Sequence, residues 1–161
     1  DEELLGVPTT VVGTTSLVNG EIQINPANPS ATNIGTIQID ASAFTTDSDR
    51  RNGAIRRFIL QTNDAANQYI TFTPTTIDGL PASVAVGDSF TVQITGDLTI
   101  SGVTNPVTFA TVINVLADNQ ISGTATAEVL RSDFELTIPS VPSVANVTDA
   151  VQLQLDFVAS A

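Results

Sequence analysis

"SFTVQITGDLTI", residues 89–100, sets the rhythm of this chain: apolar and polar residues alternate, with Phe90, Val92 and Ile94 on one parity. A period of two is what a strand needs when one of its faces is buried and the other wetted. The same alternation returns in "EIQIN" (21–25), "GTIQID" (35–40), "YITFTPT" (69–75) and "AVQLQLDFVAS" (150–160). In the last of these, Val151, Leu153, Leu155 and Phe157 oppose Gln152, Gln154 and Asp156. "VTFATVINVLA" (107–117) and "ISGTATAEVL" (121–130) are strands as well, joined by a hairpin turn at "ADNQ". "SGVTNP" (101–106) reads as a tight connection, and "NPANPSATN" (25–33) as a loop with two Asn-Pro turn signals. About eight strands, antiparallel where short turns join neighbours, predict a single all-β domain over residues 1–161, a barrel or a sandwich.

Composition narrows the function. The chain has 161 residues, 42% apolar and only 14% charged, enough for a sizeable core and unlike a disordered acidic tail. No run approaches the roughly 18 apolar residues of a membrane-spanning helix. A net charge of -12 repels phosphate backbones and anionic headgroups, which argues against nucleic acid as a partner. The chain has no Cys, no His and no Lys. It therefore lacks a thiol nucleophile, the usual general base and a Schiff-base amine, and an enzyme is not expected. Abundant Thr, Ser and Asn with no Cys or Lys, and numbering from Asp1, suit a processed, exported protein.

Two places break the β rhythm. One is "RSDFEL" (131–136), a short turn with helical character; the other is "DSDRRNGAIRRFIL" (47–60), which holds four of the five arginines. A calcium loop is excluded there. Asp47 and Asp49 fit the first and third positions, but Arg51 takes the fifth, Asn52 the sixth and Phe58 the twelfth. A basic nucleic-acid face is excluded by the neighbouring acids and the overall charge. On a helix, Ala54, Ile55, Phe58 and Ile59 make an apolar stripe, and Arg50, Arg56 and Arg57 fall off it. Arg51 falls near its middle. It lies either ahead of the helix, with Asn52-Gly53 as a break, or turned inward against a carboxylate. Arg131 poses the same question, with Asp133 as a local partner. Arg51 and Arg131 are expected to be the more buried arginines, bonded to carboxylates or carbonyls.

The order of these segments resembles the YceI-like family of lipid- or polyisoprenoid-binding domains. "VVGTTSLVNGEIQI" is similar to the family's early strand pair, and "RNGAIRRFIL" followed by "YITFTPT" to its arginine helix and following strand. "GDLTISGVTNPVTF" resembles its most specific motif, and "RSDFELTIPS" with "VTDAVQLQLDF" its turn and closing strand. Three features depart from the pattern. Asn52 stands where the family has Asp, Glu135 where it has Gly, and "DEELLG" looks like only the tail of the family's first strand.

The resemblance implies an eight-stranded, antiparallel, lipocalin-like barrel with one short helix near a mouth. It also implies a non-enzymatic carrier of the cell envelope, periplasmic, cell-surface or extracellular, holding an isoprenoid lipid or quinone and requiring no cofactor or metal. A barrel of this size is just wide enough for one slender ligand. Phe72, Phe90, Val92, Ile94, Phe109, Leu153, Leu155 and Phe157 are the candidate lining, with Phe44, Phe58, Tyr69 and Phe134 at the lid or rim. Alternation alone favours a filled core over a ligand lining, and the resemblance reverses that order. The alternative function is a structural or accessory subunit of an extracellular or membrane-associated assembly, with a filled barrel and an incomplete sheet edge open to self-association or a partner strand.

Overall fold

A computed structural model describes residues 1–25 and 28–160. In chain order the strands are β1 (Glu2–Leu4), β2 (Val7–Thr9), β3 (Val18–Asn19), β4 (Ile22–Gln23), β5 (Asn33–Ile34) and β6 (Ile37–Asp40). They continue as β7 (Tyr69–Asp78), β8 (Ser89–Ile100), β9 (Val103–Ala117), β10 (Gln120–Leu130), β11 (Val144–Ala145) and β12 (Ala150–Ser160). One α-helix, α1 (Asp49–Ala54), runs into a π-helical turn at Ile55–Ile59. In the 25–33 loop, Pro26 of the first Asn-Pro lies outside the described residues; the second opens a 3-10 turn, Pro29–Ala31.

Seven strands form one curled antiparallel sheet in the order β12-β10-β9-β8-β7-β6-β3, with small sheets β11-β1-β2 and β4-β5 beside it. This is mostly-β architecture of lipocalin-like kind with one short helix. The eight-stranded closed barrel is not what the ladders describe: among the described residues β3 and β12 have no strand partner on their outer edges. The physical reason lies in the early segment. β3 adds only two residues to the wall, and β4 pairs with β5 in a sheet of its own, so the early segment does not close it.

The β8–β9 hairpin fixes which side chains face inward. Its loop is only Ser101 and Gly102, at φ 47° and 82°, the doubly positive pattern of a type I′ turn. The connection expected over 101–106 therefore shrinks to two residues, and β9 begins at Val103. The turn pins the register from Ile100↔Val103 to Phe90↔Ile113, so Phe90, Val92, Ile94, Leu98 and Ile100 share a face with Val103, Val107 and Phe109. In β7 a bulge between Pro74 and Thr76 switches parity, bringing both Phe72 and Ile77 to that face. Phe72, Val92, Ile94, Leu98, Ile100 and Phe134 make the dry core. On the opposite face threonines pair across the ladders, Thr95 with Thr108 and Thr99 with Thr104, each at 2.8 Å.

Two glycines make room for phenylalanine rings on the inner face. A Cβ on Gly96 would stand 2.8 Å from Phe72 Cζ and 2.5 Å from the Thr73 carbonyl. One on Gly123 would stand 2.5 Å from Phe157 Cζ. Both rings lie across the backbone that the glycine leaves bare.

The start of β12 is tied to the 3-10 turn Arg131–Phe134. Asp149 accepts from the Ser132 amide at 3.0 Å and from its hydroxyl at 2.5 Å, and the Arg131 guanidinium stands 3.5 Å away. Arg131 thus pairs with Asp149 rather than the expected Asp133, and also donates to the Leu136 carbonyl at 3.0 Å. The turn curls Asp133 toward β9, where its carbonyl accepts from Asn105 Nδ2 at 2.7 Å. Glu135 ends the turn in left-handed backbone, φ 55° and ψ 21°. That geometry accounts for the glycine of the family pattern at this position.

Three outcomes follow from these contacts. Gly123→Val should lower stability by about 1–3 kcal/mol, because its Cβ collides with both the Phe157 ring and the Val112 carbonyl. An unshifted denaturant midpoint would show that Phe157 moves aside freely. Glu135→Gly should raise the midpoint slightly, by about 0.5–1 kcal/mol, since it relieves an L-residue in left-handed backbone; a loss of stability would contradict that. The Ser132 hydroxyl foremost, then its amide and Arg131, hold the Asp149 carboxyl below its ordinary 3.8. A depressed folded-state value stabilises the fold above 3.8 and loses that contribution as pH falls through the lowered value. The Ser132 amide resonance should therefore titrate with a midpoint below 3.8, and Asp149→Asn should flatten it.

Candidate functional site

Register gathers all eight expected lining residues onto one sheet face. The row Phe90↔Ile113↔Gly123↔Phe157 crosses four strands, and Val92↔Thr111↔Ala125↔Leu155 runs beside it. Ile94 pairs with Phe109, Phe72 with Leu98, and Leu153 with Ala127. The Phe72 and Phe109 rings meet edge to face at 4.9 Å.

Burial is uneven along this face. Phe72, Val92 and Ile94 are buried, whereas Phe90, Phe109, Leu153, Leu155 and Phe157 remain half-buried. The small residues Gly123, Ala125 and Ala127 lie between them on β10. A folded monomer of this mass exposes about 7,600 Å² by the usual scaling. This chain exposes 9527 Å², and much of its exposed apolar surface lies in the early segment, at Leu5, Val7, Val12 and Leu17.

The four expected rim residues separate. Phe44 is half-buried, after the short turn Ala41–Ala43, with its ring near Gly13. Phe58 is 54% exposed, off the apolar stripe that helical spacing assigns it. The π turn, closed by Leu60 N–H donating to the Ile55 carbonyl at 2.8 Å, breaks the 3.6 period and rotates Phe58 outward. There the Arg57 guanidinium stacks over its ring, 5.9 Å from the centroid. Tyr69 is not on the lining face: it pairs with Asp40, opposite in parity to Ile70 and Phe72. Phe134 is not an accessible rim residue either. At 2% exposure it is part of the core, folded back by its 3-10 turn.

The helix is held by a polar knot that the sequence signals only weakly. Ser48 caps it, accepting from the Arg51 amide, and Asp49 opens its first turn. No break occurs at Asn52-Gly53, which are both helical. Arg51 bonds Asp47 and, at 3.2 Å, Glu2 of β1, clamping α1 to the small sheet. Arg56 is partly buried like Arg51 and Arg131, contrary to its place off the stripe, because it donates to the Asn52 and Ser42 carbonyls. Arg50 and Arg57 are exposed. Asn52 is 3% exposed, and its Oδ1 accepts from the Thr46 amide at 2.7 Å and hydroxyl at 2.8 Å. An amide satisfies these donors without burying a charge, which explains Asn at the family's Asp position.

The wall is also forked. The β9–β10 ladder stops at Ala110↔Thr126, although both strands continue. Pro106, with no amide to donate, lies in the stretch that β10 leaves. A cleft of about 240 Å³ occupies the fork, lined by Val107 and Val129 of the inner parity and Thr108 and Glu128 of the outer. Among the described residues, no three His, Cys, Asp or Glu side chains are grouped to hold a metal ion. What this site offers is apolar area, with two polar residues on the inner parity of the long strands: Asn105, tied to the turn, and Thr111. The sequence holds the signal for Thr111, a hydroxyl on the parity of Val107, Phe109 and Ile113, although alternation arguments that sort faces by their apolar majority pass over it.

Comparisons with known proteins agree with this geometry. The YCEI protein of Campylobacter jejuni superimposes with a TM-score of 0.77 at 19% identity, covering 96% of this chain and 86% of that one. BcnA of Burkholderia cenocepacia gives 0.70 at 20% identity, covering 92% and 87%. A polyisoprenoid binding domain from Saccharophagus degradans, implicated in plant cell wall breakdown, gives 0.70 at 18% identity, covering 94% and 91%. These likenesses establish the fold. A search of curated proteins finds no match. The sequence itself matches the YceI-like domain over residues 2–159, and the chain belongs to that family.

Proposed function

We propose that this chain is a non-enzymatic lipid carrier that holds one long apolar molecule, of isoprenoid or quinone type, against the inner face of its sheet. The observation that carries the reading is the row of large apolar side chains, Phe90, Phe109, Leu153, Leu155 and Phe157, left half-buried on a curled inner face. A slender hydrocarbon laid along them would be held by area burial, at about 25 cal/mol per Å² removed from water. An eight-stranded lipocalin-like barrel, closed around the ligand, belongs to the same proposal. So do export and residence at the cell envelope, which the composition favours. The polyisoprenoid binding described for the Saccharophagus degradans domain supports the ligand class.

Native purification, solvent extraction and mass spectrometry test the reading. The expected result is a prenyl lipid in near-equal molar amount to the chain. Leu155→Glu, which sets a charge on the inner face, should abolish it while circular dichroism still reports a folded sheet. A lipid-free extract with a mass above that of a monomer would instead favour an assembly role through the open edges of β3 and β12.

A further inference from the structure

The inner face carries one polar group that the fold itself does not use. Thr111 is 0% exposed, and its Oγ1 has no hydrogen-bond partner among the described residues. Register sets it on the inner parity, between Val92 of β8 and Ala125 of β10, with Phe109 and Ile113 two residues to either side. On the outer face threonine hydroxyls find partners across the ladders, as in Thr95–Thr108, Thr99–Thr104 and Thr124–Asp156. The other inner polar side chain of the long strands, Asn105, is spent on the Asp133 carbonyl. A buried hydroxyl with no partner is unfavourable, and valine would fill the same volume without that penalty. Next to it the face is thinned to Ala125 and, on the same strand, Gly123.

We propose that Thr111 is a specificity-determining residue of the inner face, a hydrogen-bonding hook for the oxygen-bearing end of an isoprenoid that enters head first. The proposal rests on the lipid-carrier reading. A hydroxyl both donates and accepts, so it suits a prenyl alcohol or a quinone carbonyl alike. A site with a buried polar group discriminates against an analogue that leaves the group unpaired.

The test uses geranylgeraniol and the matched hydrocarbon in which hydrogen replaces its hydroxyl, titrated into the whole chain. Wild type should bind the alcohol about tenfold more tightly than the hydrocarbon. Thr111→Val should bind both equally, with hydrocarbon affinity unchanged and thermal stability raised, and Thr111→Ser should keep the preference. A preference for the alcohol that survives in Thr111→Val overturns the proposal, as does equal binding of both probes by wild type. If wild type binds neither probe, the carrier reading itself falls, and this inference with it.

Discussion

Everything in this molecule depends on the register of one hairpin. The two-residue type I′ turn at Ser101-Gly102 holds both residues at positive φ, and it leaves β8 and β9 no freedom to slide. A slip of one residue would send Val92, Ile94 and Leu98 to water and bring Thr91, Gln93 and Asp97 inside. Because the sheet continues from these two strands in both directions, their parity is inherited by every neighbour. β10 and β12 receive it through Thr111↔Ala125↔Leu155, and β7 through Leu98↔Phe72. Glycine at 96 and 123 then lets rings lie over the wall rather than stand on it.

The long strands were legible in the sequence because their chemistry is local. Alternation marks β8 and β12 to the residue, and it puts Phe72, Phe109 and Leu155 each on the apolar face of its own strand. What alternation cannot carry is closure. Whether a sheet shuts into a barrel depends on pairing between residues far apart in sequence, and the two-residue β3 makes too short a ladder to close the wall. Partner choice was opaque for the same reason. Asp133 is near Arg131 in sequence, but the chain returns Asp149 to it in space. A uniform helical period puts Phe58 on the apolar stripe, and the i→i+5 bonding of the π turn at Ile55–Ile59 moves it off. Thr111 was visible all along, as an exception to a pattern read for its majority.

The polar knots show where a sparsely charged, lysine-free chain spends its few cations. Arg51, Arg56 and Arg131 each bridge segments that hydrophobic burial leaves loose: helix to β1, helix to the turn at Ser42, and turn to the start of β12. Guanidinium groups suit this because their forked donors satisfy two acceptors at once, carboxylates or carbonyls. The exposed pair, Arg50 and Arg57, serves the helix surface.

The fork between β9 and β10 has a mechanical consequence. Where neighbouring strands are fully laddered, spreading them must stretch or break hydrogen bonds. Below Ala110↔Thr126 no ladder joins these two strands, so they can spread or draw together by bending alone. The seam is an expansion joint. It lets a wall whose register is rigidly set on one side change its width on the other, without unzipping a single rung.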